Sequence, residues 1–178
     1  MAAPELTNRP ARIEIEGTDG IALRGLVLDD AQRYFDLIDA DRGHFKYGQE
    51  VTPEKYTSVE KVIDSIEHPQ AGRTRFGIWD HDTMVGSINL SDKRPGVMEV
   101  GYWVGGEHKG HGYAQKALGL VMGYAFNDLN LSELIAWVHP ENAASIKTLE
   151  RNGFQLDMTS QELRYVLRRD QVAAALDE

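Results

Sequence analysis

Between residues 105 and 112 the chain gathers four glycines (Gly105, Gly106, Gly110, Gly112) around Lys109 and two histidines, His108 and His111. The stretch before them, 97–104, is largely apolar. From Ala114 onward, apolar residues recur at helical spacing through Ala117, Leu118, Val121, Met122, Ala125, Phe126 and Leu129. This order predicts a strand, a glycine-rich turn and the opening of a helix. Such a turn exposes successive backbone N–H groups, and the positive end of the helix behind it strengthens their pull on an anion. The chemistry indicated is the reception of a phosphate-bearing ligand. A tight strand-to-helix turn without a ligand is the other reading of the same glycines.

The usual phosphate signatures are missing. No GxxxxGK[ST] string is present, and the Gly110-x-Gly112 pair neither completes GxGxxG nor precedes an acidic residue at the distance a dinucleotide site needs. Cysteine is absent, which excludes a thiolate nucleophile, a thiolate metal site and a disulfide framework. The six histidines (44, 68, 81, 108, 111, 139) show no HExxH or comparable ligand spacing, so no metal is expected.

The elements that must position this turn can be read from periodicity. Residues 13–16 and 21–27 flank Gly17-Thr-Asp-Gly20 as a hairpin. Asp29 or Asp30 is placed to cap a helix through about Asp41; 42–53 reads as irregular, and Ser58 as the cap of a helix to about His68. A hairpin of 75–80 and 84–91 follows, then a turn at 93–96, the strand before the glycines and the long helix after them. Residues 134–138 form a short buried strand ended by Pro140, and Asn142 can cap a helix to about Arg151. Segments 154–158 and 163–168 read as two last strands. Strands first, then alternating strands and helices, predict a mixed α/β sheet with helices on both faces.

The 178 residues are 42% apolar and 26% charged, the balance of one globular domain with a real core. A formal charge of −9 is the wrong sign for a non-specific nucleic-acid binder. No apolar run reaches the ~20 residues of a membrane span, and the start lacks a signal-peptide pattern, so a cytoplasmic location is expected.

A second element gives the glycine turn a more specific meaning. After the strand 134–138 comes PENAASIKTLERNGF, and together with GYWVGGEHKGHGYA it closely resembles the GNAT family of acyl-CoA-dependent N-acetyltransferases, in the style of the RimJ/RimL ribosomal-protein enzymes. IALRGLVLDDA and GSINL resemble the family's opening strand and helix and the strand before its cofactor site. The resemblance spans residues 12–168 as a single domain, with 1–11 and 169–178 as flexible termini. It implies a mostly antiparallel central sheet of about seven strands, acetyl-CoA as co-substrate, an amine acceptor and a homodimer. Glu107 to Gly112 falls on the family's Q/R-x-x-G-x-G/A pyrophosphate motif, with Glu107 departing at the first position. Backbone N–H groups carry that site, so Lys109, Gly110, His111, Gly112, Tyr113 and Ala114 are expected to contact the coenzyme. Tyr102, Trp103 and Val104 are implied along its pantetheine arm, with Asn142 and Ser145 towards the thiol.

Acetyl transfer needs an unprotonated amine, a donor for the developing oxyanion and a proton for the leaving thiolate. At pH 7 an α-amine of pKa about 8 costs roughly 1 kcal/mol to deprotonate, and a lysine of pKa about 10.4 roughly 4–5 kcal/mol. One well-placed carboxylate serves the first case and helps the second. Glu99 interrupts an apolar strand where many RimJ/RimL-like members carry glutamate, and strand alternation puts it on the face of Gly101 and Trp103. It is the candidate base; a strand-edge carboxylate with a salt-bridge partner is the alternative. The tyrosine that many members carry in the last helix is replaced by Leu149. Ser145 is the candidate acid in its place, and a helix-start serine bonding the backbone is the other reading. An exposed turn lysine is likewise the second reading of Lys109, and core packing the first of Trp79, Trp103 and Trp137. The segment 41–45 lies where the family places part of its acceptor wall. These residues point to direct acetyl transfer to a protein N-terminus or a small amine in a ternary complex. The rival readings are a non-catalytic acyl-CoA-binding module and, less favoured, a nucleotide-binding regulator.

Overall fold

The computed structural model describes residues 12–47 and 52–176. In chain order, β1 (Glu14–Glu16) and β2 (Ile21–Gly25) precede α1 (Ala31–Asp41), α2 (Thr52–Lys55) and α3 (Val59–Glu67). Then come β3 (Arg73–Asp80), β4 (Thr83–Arg94), β5 (Val97–Val104), α4 (Tyr113–Gly123), β6 (Glu133–Val138) and α5 (Ala143–Arg151). The chain ends in β7 (Gln155–Thr159), β8 (Leu163–Arg168) and α6 (Arg169–Leu176).

All the strands join one sheet in the order β1-β2-β3-β4-β5-β6-β8-β7. Every neighbouring pair is antiparallel except β5 and β6. The mixed, mostly antiparallel sheet is the one expected, with eight strands rather than about seven. Two further expectations change. Residues 169–176, expected within a flexible terminus, form helix α6, which continues from β8, and Arg169 donates to the carbonyls of Leu131 (2.9 Å) and Phe126. Pro53, read as part of an irregular stretch, lies in the first turn of α2, where its missing N–H costs nothing. The flexible terminus expected for residues 1–11 lies outside the described residues.

The two faces of the sheet differ because its strands alternate. Phe76, Ile88 and Tyr102 stand in one row across β3, β4 and β5, and Leu90 pairs Val100 beside them. This apolar face packs on α4 and α5 through Ala117, Leu118, Val121 and Leu149, all essentially buried. On the opposite face Tyr34, Ile38, Val62, Trp79 and Met84 form a second core under α1 and α3. Between that core and β6, however, the second face is polar. Its rows are Arg73, Ser91 and Glu99; Arg75, Asn89 and Gly101; Gly77, Ser87 and Trp103.

The parallel ladder of β5 and β6 is short. It pairs Val97 with Glu133, Met98 with Leu134 and Glu99 with Ile135, and then ends. Beyond Glu99, β5 stays bonded to β4 as far as Val104, and β6 stays bonded to β8 as far as Val138. The two strands therefore part, and the slot between them joins the two faces of the sheet. Gly86 holds β4 close to β5 at the outer end: a Cβ there would lie 2.3 Å from the Trp103 carbonyl oxygen.

Candidate active site

The slot opens into a cleft of about 900 Å³, lined by Tyr102, Asn142 and Ser145 from one face and by Tyr34, Asn89 and Glu99 from the other. At its outer end lies the turn from β5 to α4. The Gly105 N–H donates to the Val85 carbonyl (2.9 Å) and anchors the turn to β4. Gly110 (φ 83°) and Gly112 (φ 77°) both occupy left-handed backbone, and Gly112 precedes α4 without a side chain to cap it. Among the described residues, the N–H groups of residues 110–115 have no hydrogen-bond acceptor. That is a run of donors at the positive end of a helix, the arrangement that holds phosphate.

The side chains of this turn look outward. Lys109 is half exposed, with Nζ 3.9 Å from Asp41. The His111 ring stacks on Tyr113 at 5.7 Å. The Tyr113 hydroxyl donates to Asp80 Oδ2 at 2.5 Å and ties the start of α4 to β3. That hydrogen bond, with a second from His81, lowers the Asp80 pKa; the same carboxylate raises that of Tyr113.

Deeper in the cleft, Tyr102 points to α5. Its hydroxyl lies 2.9 Å from Ser145 Oγ. Burial pushes the Tyr102 pKa up to about 12, against the hydrogen bond it shares with Ser145. Asn142 is the cap of α5, its Oδ1 accepting from the Ser145 N–H at 3.2 Å. Leu149 is buried against α4, so the position where many family members carry tyrosine belongs to the core here.

Glu99 lies on the opposite face at the point where the strands part. Its carboxylate meets Lys93 Nζ at 2.6 Å. Trp103 shares that face and is flanked edge-on by Tyr34 (5.6 Å) and Phe45 (5.5 Å). Tyr47 crosses to the β6–α5 loop, stacking on His139 at 5.3 Å and donating to the Glu141 carbonyl at 3.2 Å. Phe45, in the segment 41–45, thus packs on β5, and Tyr47 just after it spans to the β6–α5 loop.

A family model for the acetyltransferase (GNAT) domain matches residues 21–155. The chain belongs to the GNAT acetyltransferase family. The p20 N-acetyltransferase of Bacillus licheniformis, itself uncharacterized, is 33% identical over 150 residues, covering 78% of this chain and 80% of that one. Among solved structures, RimL, a ribosomal L7/L12 α-N-protein acetyltransferase in complex with coenzyme A, superposes with a TM-score of 0.78 at 17% identity, over 89% of this chain and 99% of that one. RimJ of Mycobacterium smegmatis, in complex with CoA-disulfide, gives 0.71 at 19% identity, over 92% and 93%.

For this GNAT acetyltransferase, sequence reasoning named Glu99, Tyr102, Trp103, Val104, Lys109, Gly110, Gly112, Tyr113, Ala114, Asn142 and Ser145, and these line one cleft; His111, also named, is not among its lining residues. It missed three features. The Lys93 partner of Glu99 comes from the facing strand, and the Tyr102 hydroxyl bonds Ser145 across the fold. The polar floor of Ser87, Asn89 and Ser91 was legible, since those residues alternate with apolar ones in GSINLS.

Proposed function

We propose that the cleft performs direct acetyl transfer from acetyl-CoA to a primary amine, either a protein N-terminal α-amino group or a small amine, within one domain of residues 12–168 in the cytoplasm. One observation carries this reading: the slot between β5 and β6 joins an anion-binding helix start on one face to a carboxylate on the other. The unpaired N–H groups of 110–115 fit a pyrophosphate. The β5 edge beyond Glu99 has no partner strand and offers Tyr102, Trp103 and Val104 to an extended arm. Acetyl-CoA, when bound, supplies a thioester carbonyl at the inner end of the slot.

The chain's own groups divide the proton work. Glu99 takes the proton from the attacking amine, directly or through a water. Lys93 holds the carboxylate towards β4 until an amine competes for it. Ser145 gives the proton to the departing sulfur, and Tyr102, its own proton held firmly by a pKa of about 12, stands behind the serine as a donor. The amine nitrogen forms the new C–N bond as the C–S bond breaks, and no acyl-enzyme is needed.

Titration with acetyl-CoA and, separately, with ATP tests the reading. Binding of acetyl-CoA and CoA release in the presence of an amine are expected. Binding without CoA release from any of a broad panel of amines would favour the non-catalytic module. Binding of ATP alone would sink the acyl-CoA reading.

A further inference from the structure

The acceptor half of the cleft carries positive charge that the transfer chemistry does not use. Arg73 and Arg75 stand on the same sheet face as Glu99, in adjacent rows. Neither touches a carboxylate among the described residues. Arg75 is spent on neutral groups: it donates to the Tyr56 hydroxyl and to Ser65 Oγ (2.8 Å) and lies over the rings of Tyr34 and Tyr56. Arg73 is less satisfied. Its Nη2 donates to Asn89 Oδ1 at 3.2 Å, and its Nε is buried with no partner at all. A guanidinium left with a buried, unpaired N–H in a chain of net charge −9 is costly unless something else completes it.

The direction of that side chain matters. Asn89 stands opposite Gly101, two residues along β5 from Glu99 and on its face. By reaching Asn89, the Arg73 guanidinium is brought across the sheet towards the candidate base. Arg73 also borders a side pocket of about 250 Å³, which shares Lys55, Tyr56 and Arg73 with the main cleft. Among the described residues Asp64 is the one carboxylate lining that side pocket, and it is exposed and turned to His68.

Resting on the acetyltransferase reading above, we propose that Arg73, supported by Lys55, selects an acceptor that carries a carboxylate close to its amine. The planar guanidinium, which lines the cleft, pairs with the carboxylate through its outer Nη N–H groups, while the amine is presented to Glu99. Two sources offer that chemistry: a free amino acid, or a peptide N-terminus followed by an acidic residue.

Matched acceptors decide between them and test the idea, with CoA release as the readout on the full chain. The pairs are an amino acid against its methyl ester, glutamate against glutamine, and short peptides with Asp or Glu against Asn or Gln at the second position. At least a tenfold higher kcat/KM for the charged member of one set is expected. Arg73→Gln should erase that preference through KM, and Arg73→Lys should keep part of it, with the melting temperature and the KM for acetyl-CoA as controls for folding. Neutral members that serve as well as charged ones, or a folded Arg73→Gln variant that keeps the preference, would overturn the proposal and leave the transferase reading intact. No CoA release with any amine, polyamines included, would overturn both.

Discussion

Glu99 and Ile135 are the last residues that β5 and β6 pair, so the candidate base sits at the apex of the slot. One strand spacing, about 4.8 Å, separates neighbouring strands up to that point; beyond it the gap widens enough for a ligand to pass between the faces. The carboxylate can therefore face an amine from the α1 side while a thioester approaches from the α4 side. Glu99→Gln should lower kcat by about 100-fold or more, the usual scale for losing a general base. Acetyl-CoA affinity, measured by calorimetry, should stay within a few-fold. The same pH profile and rate as the parent would remove Glu99 from the mechanism.

Tyr102 and Ser145 should act as a unit. In a double-mutant cycle on kcat, Tyr102→Phe and Ser145→Ala each slow the reaction. Because both remove the same hydrogen bond, the double variant should be slower by much less than the product of the two single effects. Full additivity would show that the pair is structural only.

The same tyrosine makes a prediction about alkaline stability. Its folded pKa, about 12, lies above the ordinary tyrosine value, and burial shifts Tyr34 in the same direction. The folded state therefore holds these protons more tightly than the unfolded chain. The stability they confer is complete below pH 10 and is lost as the pH rises towards 12. Denaturant midpoints should fall across that window, and Tyr102→Phe should make the fall shallower.

Gly112 should resist substitution for its backbone alone. A Cβ there would meet no atom within 4 Å, yet φ is 77°. Gly112→Ala should cost about 1–2 kcal/mol of stability and weaken acetyl-CoA binding several-fold. Gly112→Asn should recover part of both, since asparagine tolerates that conformation. Parity between the alanine and asparagine variants would contradict this account.

Asn142→Ala removes the only side-chain cap on α5 that bonds the Ser145 N–H. The expected loss is about 1 kcal/mol, or a drop in Tm of about 2–4 °C for a chain of this size. Because Ser145 is fixed by that cap, kcat should fall along with Tm. Asn142→Asp should restore Tm to near the parent value.

The sequence by itself determined what depends on local pattern. Helical spacing after Ala114 located α4, and alternation located the strands to within a few residues. The glycines at 110 and 112 marked the tight turn before α4, and Asn142 marked the start of α5. The pairing of two motifs was enough to name the family. Local pattern failed where a residue's neighbours are distant in the chain. Nothing in the residues around 93 or 102 announces that Lys93 meets Glu99 or that Tyr102 meets Ser145, because those contacts arise when strands register and α5 packs on the sheet.

The point where β5 and β6 separate was also decided only by the tertiary structure. Both strands read as ordinary apolar runs, and their divergence comes from what each is bound to on its other side. The helix after 168 escaped notice for a similar reason, since Arg169 anchors it to the carbonyls of Phe126 and Leu131, in the segment between α4 and β6. The glycine turn could thus be read from sequence as an anion cradle, because backbone donors need only local geometry. That Glu99 shares a polar sheet face with Arg73, whose buried Nε has no partner, required the folded sheet, whose register sets those residues in one row.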